Sequence, residues 1–319
     1  MPISTAVRDI HKLPISLHST DRLAIAFWFL LSLISLVFHS RISGWWLIII
    51  ANFTAILVIC ALAYFEQSLG SKILLWVHDW AAFPLVIFTY KQVYFMIRPI
   101  HLGRDYDKLL IAVDRWLFRV NSTDLLAGLS NPCLTEVLQI AYSLFYLFFI
   151  AIGLELYRKT DLSQFRHFRF AAVYGFFVSY IGYLFLPAVG PRFTLQDFSR
   201  TDIELPGLFL TPALRWFVNI CESIPSGVSS GIALASAQRD VFPSGHTLLT
   251  LVAVVLAFNY KLKIRYYIFC VGMLLIFATV YLRYHYLIDV VAGAFLVLPC
   301  LLTSNKFYTL FKGTSSGDS

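Results

Sequence analysis

Polar and charged residues fall in short intervals along this chain, and the stretches between them are almost wholly apolar. Eight such stretches lie at about 23–42, 44–64, 73–97, 131–155, 169–189, 244–260, 264–282 and 285–303. Each approaches the roughly 20 residues that a helix needs to cross a bilayer. Two shorter stretches read differently. Asp107 to Val120 and Leu208 to Cys221 interleave charges with apolar residues at helical spacing, which predicts amphipathic helices lying in the membrane interface. No internal repeat, low-complexity tract or linker divides residues 1–319. The expected fold is therefore all-α, a single polytopic membrane helix bundle of about six to eight spans with interfacial helices.

Composition agrees with the pattern. Of 319 residues, 59% are hydrophobic and 13% charged, with a mean hydropathy of +0.73. Soluble domains carry about 25% charged residues, so this chain cannot coat a water-facing surface of its size. That excludes an ordinary cytosolic enzyme, a disordered chain and a fibrous repeat. The net charge of +7 has no soluble face to gather on, so a nucleic-acid partner is excluded and the bilayer is the expected one. Of the five cysteines, Cys60, Cys270 and Cys300 sit in apolar runs as small hydrophobes, while Cys133 and Cys221 flank loops and would pair only in an oxidising space. No Cys/His cluster suggests a metal. The first apolar run lacks a small-residue cleavage site and reads as a retained anchor.

Eight spans put both termini on one side. That side, with short loops, holds Arg8, Lys12, Arg22, Lys72, Arg158, Lys159, Lys261 and Lys263 among others, whereas most basic residues of the other side lie in two long loops, which carry less of the orientation signal. The positive-inside bias makes it cytoplasmic. The two long loops, 98–130 and 190–243, then face the periplasm or a lumen.

Three polar clusters interrupt the apolar pattern, and the span count brings all three to that extracytoplasmic surface. They are Gly190-Pro191-Arg192, Phe242-Pro243-Ser244-Gly245-His246-Thr247, and Arg283-Tyr284-His285-Tyr286-Leu287-Ile288-Asp289. His285 and Asp289 are four apart and share a helical face. A carboxylate on one imidazole nitrogen fixes the tautomer and frees the other nitrogen to attack. Ser244 and Gly245 open a helix whose N-terminus favours an anion, and Gly245 lets the backbone approach it closely. His246 is a second imidazole, suited to protonating a leaving oxygen. Arg192 and Arg283 can clamp phosphate oxygens. These groups together fit phosphoryl transfer through a phosphohistidine.

On these residues the chain resembles the type 2 phosphatidic acid phosphatase (PAP2) superfamily, whose motifs are K-x6-R-P, P-S-G-H and S-R-x5-H-x3-D. The second is present whole as Pro243-Ser244-Gly245-His246 and the third in its catalytic half as His285-x3-Asp289. Ala278 and Thr279 stand where the third motif has Ser-Arg, and Arg283 is the substitute arginine. Two candidates remain for the first motif. Lys91-x6-Arg98-Pro99 matches literally but lies far upstream; Arg192 has the usual gap without the lysine, and order and distance favour it. Lys91 and Arg98 share a helical face and would line the same cavity.

The resemblance implies that His285 is the nucleophile, Asp289 its orienting partner and His246 the general acid. Ser244, Gly245, Arg192 and Arg283 would bind phosphate, and no metal or other cofactor would be needed. It implies a catalytic core at about 166–303, with accessory spans and an interfacial helix in about 1–165. The run of G-P-R-F-T-L, P-S-G-H and Y-L-R-Y-H-Y-L-I-D is most similar to the inositolphosphotransferase branch, the inositol phosphorylceramide synthase-like proteins. The implied substrate is a phospholipid or lipid phosphate whose phosphate or head group is cleaved or transferred. The rival readings are a plain phosphatidic acid or polyprenyl (pyro)phosphate phosphatase and, from another class, a transporter using intramembrane charges.

Other polar residues have plainer readings. His78-Asp79 is a packed or satisfied contact. Tyr281, Tyr284 and Tyr286 belong to an interfacial aromatic belt. Asp197, Asp202, Glu204, Glu222, Arg200 and Arg239 are solvated loop charges.

Overall fold

The computed structural model describes residues 16–159 and 162–312; Arg8 and Lys12, used above for orientation, lie outside them. Every regular element among the described residues is a helix, so the chain is an all-helical bundle. The N-terminal half holds Ser19–Val37 (α1), Trp45–Leu69 (α2), Lys72–Trp80 (α3), Ala82–Ile100 (α4), Asp107–Phe118 (α5), Ser122–Ala127 (α6), Pro132–Ser143 (α7) and Phe145–Tyr157 (α8). Then come Ser163–Phe185 (α9), Pro191–Thr194 (α10), a 3-10 turn at Phe198–Arg200, Thr201–Glu204 (α11), Thr211–Cys221 (α12) and Ser230–Ser236 (α13). The chain closes with Gly245–Asn259 (α14), Arg265–Tyr281 (α15), Leu287–Phe295 (α16) and Val297–Lys312 (α17).

All eight expected apolar stretches are helical. Among the described residues, five segments are long and apolar enough to cross a membrane: α1, α2, α3 with α4, α9, and α16 with α17. The pair α7–α8 makes a sixth, bent by 51°. Helices α14 and α15 have 15 and 17 residues, shorter than the usual span. Large exposed side chains such as Phe29, Phe53 and Ile73 stud the outer faces, as lipid contact requires. All five cysteines are free, and Cys133 and Cys221 are both exposed.

Helix α9 is the hub. It is 67% buried over its apolar window and packs against α1, α4, α8, α14 and α17. Its small residues Gly175, Ser179 and Gly182, at helical spacing, form a groove for the start of α14. A Cβ at Gly175 would stand 2.7 Å from Leu249 Cδ2, and one at Gly182 would stand 2.2 Å from Pro243 Cδ. Close approach through small residues is how helices associate where lipid offers no hydrophobic drive.

A second polar cluster ties α1, α2, α3 and α9 together. Arg169, 1% exposed, donates from Nη1 to the Asp79 carboxylate (2.6 Å) and carbonyl (3.0 Å), and from Nε to Thr20 Oγ1 (3.2 Å). Its Nη2 lies 3.2 Å from His18 Nδ1. His78 sits between Asp21 and Glu66 and stacks on His18 at 4.3 Å. His78-Asp79 is thus a polar contact, part of a network in which Arg169 balances the buried carboxylate. His18, Asp21 and His78 bring ligand-type atoms within 4.8 Å of one another. A guanidinium donating onto His18 is an unfavourable neighbour for a cation, and charge pairing accounts for the cluster.

Candidate active site

Helix α14 starts at the second motif. Ser244 is its N-cap, and its Oγ accepts from Thr247 N (3.2 Å) and Thr247 Oγ1 (3.0 Å), leaving its own proton to donate. Gly245 cannot be larger, because a Cβ there would lie 2.3 Å from the Tyr183 hydroxyl. Ser244 N donates to the Asp289 carbonyl (3.0 Å), which locks the second motif to the third. Gly293, one turn past Asp289, permits the contact: a Cβ there would stand 2.6 Å from the Ser244 carbonyl oxygen.

The third motif follows the end of α15. Arg283 adopts the left-handed conformation (φ 67°), with Arg283 N bonded to Val280 O (3.0 Å) and Tyr284 N to Thr279 O (2.9 Å). This is a Schellman ending with arginine where glycine is usual. It turns the chain so that His285 points inward, 3% exposed. His285 Nδ1 lies 3.6 Å from Asp289 Oδ2, an ion-pair separation, and neither Nδ1 nor Asp289 Oδ1 has a hydrogen-bond partner. Asp289 Oδ2 accepts Tyr286 N (2.7 Å) and so caps α16. Catalytic hydrogen bonds often tighten only around substrate. Burial pushes His285 down to about 4, with the Asp240 carboxylate opposing and a hydrogen bond to the Val241 backbone also opposing.

The two imidazoles meet edge to face, ring centroids 5.7 Å apart. His246 stacks on Tyr142 (4.7 Å) and lies against Phe145 (4.4 Å). It lines a cavity of about 370 Å³ together with Tyr90, Lys91, Tyr146, Glu222 and Asp240. A narrower chamber of about 20 Å³ shares His246, Glu222 and Asp240 and reaches His285.

Arg192 is held by backbone and aromatic contacts. Its N donates to the Arg283 carbonyl (3.1 Å), and its guanidinium lies over Tyr284 (4.7 Å) and Phe193 (4.8 Å). It is ion-paired with Glu222 and hydrogen-bonded to Asn219 Oδ1 (3.3 Å). Lys91 lines the larger cavity, donating to Cys221 O (2.9 Å) and Ser223 Oγ (3.1 Å). Arg98 and Arg283 are elsewhere: Arg98 holds the Ala235 carbonyl (3.0 Å), and Arg283 pairs with Glu204.

Several plain readings are corrected. Glu222 and Glu204 are partners of Arg192 and Arg283, and Arg239 is buried against Asp105, whereas Asp202 stays solvated while pairing with Arg215. A guanidinium removed from water needs a carboxylate, and the long loop supplies it. Tyr281, Tyr284 and Tyr286 are all buried: Tyr284 supports Arg192, Tyr281 meets Thr135, and Tyr286 donates to Asp107 (2.8 Å).

Two contributions were missed in the sequence. Asp240, four residues before Ser244, faces both chambers and receives the Tyr90 hydroxyl. Helix α5 is more than an interfacial helix. Asp107 Oδ1 accepts from Gly190 N (2.9 Å) and Tyr286 OH, and Oδ2 from Val189 N (3.1 Å); Asp114 Oδ1 accepts Ile288 N (2.7 Å). The signal was there, as two acids seven apart share one face of α5. Burial raises the Asp107 carboxyl while these donors oppose it. Across the cavity, Glu136 of α7 accepts from the backbone N–H groups of Leu208, Phe209, Leu210 and Thr211, binding the start of α12.

No curated protein and no solved structure matches the chain. A family model described as PAP2 superfamily matches residues 108–302, from the second residue of α5 through α10, α14 and α16 into the start of α17. The match covers more than half of the chain and includes Arg192, Ser244, His246, His285 and Asp289, so this chain belongs to the PAP2 superfamily.

Proposed function

We propose that the protein is an integral-membrane phosphotransferase or phosphatase that acts on a phospholipid or lipid phosphate through a phosphohistidine on His285. The observation that carries this reading is the meeting of His246 and His285 at the floor of a cavity, with Asp289 behind one and Arg192 beside them. The nitrogen of His285 turned away from Asp289, once released from its hydrogen bond to the Val241 backbone, attacks phosphorus, the bond to the leaving oxygen breaks, and His246 gives that oxygen a proton. Water or an alcohol then attacks the phosphohistidine and yields its proton to His246, and the P–N electron pair returns to His285. Asp289 orients His285. Ser244, the Gly245 backbone and Arg192 hold phosphate oxygens; Arg283 shapes the turn that carries His285, and Lys91 meets the head group in the larger cavity.

The finer reading is an inositol phosphorylceramide synthase-like transfer of a phosphorylated head group. The catalytic core is about 166–303, with 1–165 accessory. The site faces the periplasm or lumen and the termini the cytoplasm, with α12 and its flanking loop as a lid. The size and largely apolar, aromatic lining of the cavity support an acceptor larger than water.

The test incubates purified protein, in EDTA, with labelled phospholipids, with and without inositol or ceramide, and identifies products by mass spectrometry. A new phospholipid is the expected product; free phosphate alone would mean a plain phosphatase, and no phosphorus-containing product from any lipid would sink the reading. The position of His285 adds a pH test. Only the neutral imidazole attacks, and its protonation is pushed from 6.5 down to about 4. The acid limb of kcat/KM for this group is therefore expected near pH 4, and an acid limb at 6.5 assigned to His285 would contradict the site.

A further inference from the structure

The guanidinium of Arg192 already holds a carboxylate where the reading above requires a phosphate. Arg192 is 5% exposed, and both of its side-chain hydrogen-bonding partners come from the lid: Glu222, which ends α12, and Asn219 within it. Glu222 also lines both chambers beside His246, and the narrower one beside His285. A carboxylate offers a guanidinium the same fork of two anionic oxygens that a phosphate does. Arg192 itself is fixed by Tyr284, Phe193 and the Arg283 carbonyl, none of which belongs to the lid. The partner is exchangeable and the arginine is not.

The outer face of α12 has somewhere to go. Trp216 and Ile220 are about half exposed, and Phe209 just before the helix is 87% exposed. These side chains suit the bilayer interface. The helix therefore keeps an apolar contact with lipid whether or not its end grips Arg192.

We propose that Glu222 is an internal surrogate for the substrate's phosphate, and that a phosphoryl group reaches Arg192 only by displacing it and freeing the end of α12. This rests on the function proposed above. It makes Glu222 a specificity-determining residue: only a ligand with an anionic oxygen pair can open the site, and a neutral lipid cannot. The exchange of one anion for another on the same guanidinium leaves no charge uncompensated, which a simple opening of the lid would.

The test compares wild type with Glu222→Gln in the full-length protein, using the lipid substrate and orthovanadate as a phosphate mimic. Loss of the internal competitor is expected to lower both KM and the vanadate inhibition constant by about tenfold, with kcat within about twofold, as expected for loss of a charged hydrogen-bonding competitor. An unchanged KM, or a fall in kcat with KM constant, overturns the proposal, because Glu222 would then only position Arg192. Should Glu222→Gln not fold, Asn219→Ala removes the second lid contact and is read by the same split. A wild type that neither turns over lipid nor binds vanadate would instead defeat the proposed function itself.

Discussion

His285→Ala is expected to abolish phosphate release or transfer, a loss of at least about 10³-fold, while the protein still inserts and folds. The size follows from the proposed covalent chemistry: without the imidazole no phosphohistidine could form, and the remaining groups would offer only binding and electrostatics. His246→Ala should cost about 10²–10⁴-fold, the usual worth of a proton donor. Asp289→Asn is the sharper probe. Its amide oxygen can still accept Tyr286 N and keep the cap on α16, so the fold is spared while the charge that orients His285 is lost. A loss of about 10²-fold or more is expected from the wrong imidazole tautomer. Turnover of labelled lipid by protein of matched yield and elution profile checks all three. Full activity in His285→Ala would end the mechanism.

The second large effect lies at the other polar cluster and falls on stability. Arg169→Met is expected to destabilise the bundle by about 3–5 kcal/mol, because removing one member of a buried ion pair strands the other. Asp79 is fully buried, and without Arg169 only the charge of Arg166 and the Tyr157 hydroxyl remain to offset its carboxylate. Burial also holds the adjacent His18 well below the usual imidazole range, with Arg169 adding to it, so His18 is no substitute cation. Adding Asp79→Leu to Arg169→Met should restore part of the loss, since the stranded charge goes with it. Thermal unfolding in detergent of the two variants and the wild type reads both steps. A single variant as stable as wild type would mean that the pair is solvated.

The bundle and the floor of the site were legible because both rest on local patterns. Apolar runs became helices within a few residues, and His246, His285 and Asp289 converge because the chain turns back at each of their segments. What stayed hidden depends on pairing across distance. Glu222 in a 54-residue interval looks like any solvated acid until Arg192 is seen to be buried beside it. Asp107 and Asp114 looked like the wet face of α5, and it is their docking on Val189, Gly190, Tyr286 and Ile288 that turns that face inward. The tyrosines of the cavity, Tyr90, Tyr180 and Tyr183, were lost inside apolar spans, where only their hydroxyl partners mark them out.

The clasp between Glu136 and the first residues of α12 makes that helix a lever with a fixed fulcrum. Four backbone donors and the Thr211 hydroxyl meet one carboxylate there, so the start of the helix cannot slide. Eleven residues give the lever about 16 Å, and a swing of about 10° moves its far end by about 3 Å while Thr211 hardly shifts. That far end carries Asn219, Cys221 and Glu222, which touch Arg192 and Lys91. Were α12 to swing, the aperture over the two histidines would be widest where the arm is longest, and its travel would be set from the α7 side, at Glu136.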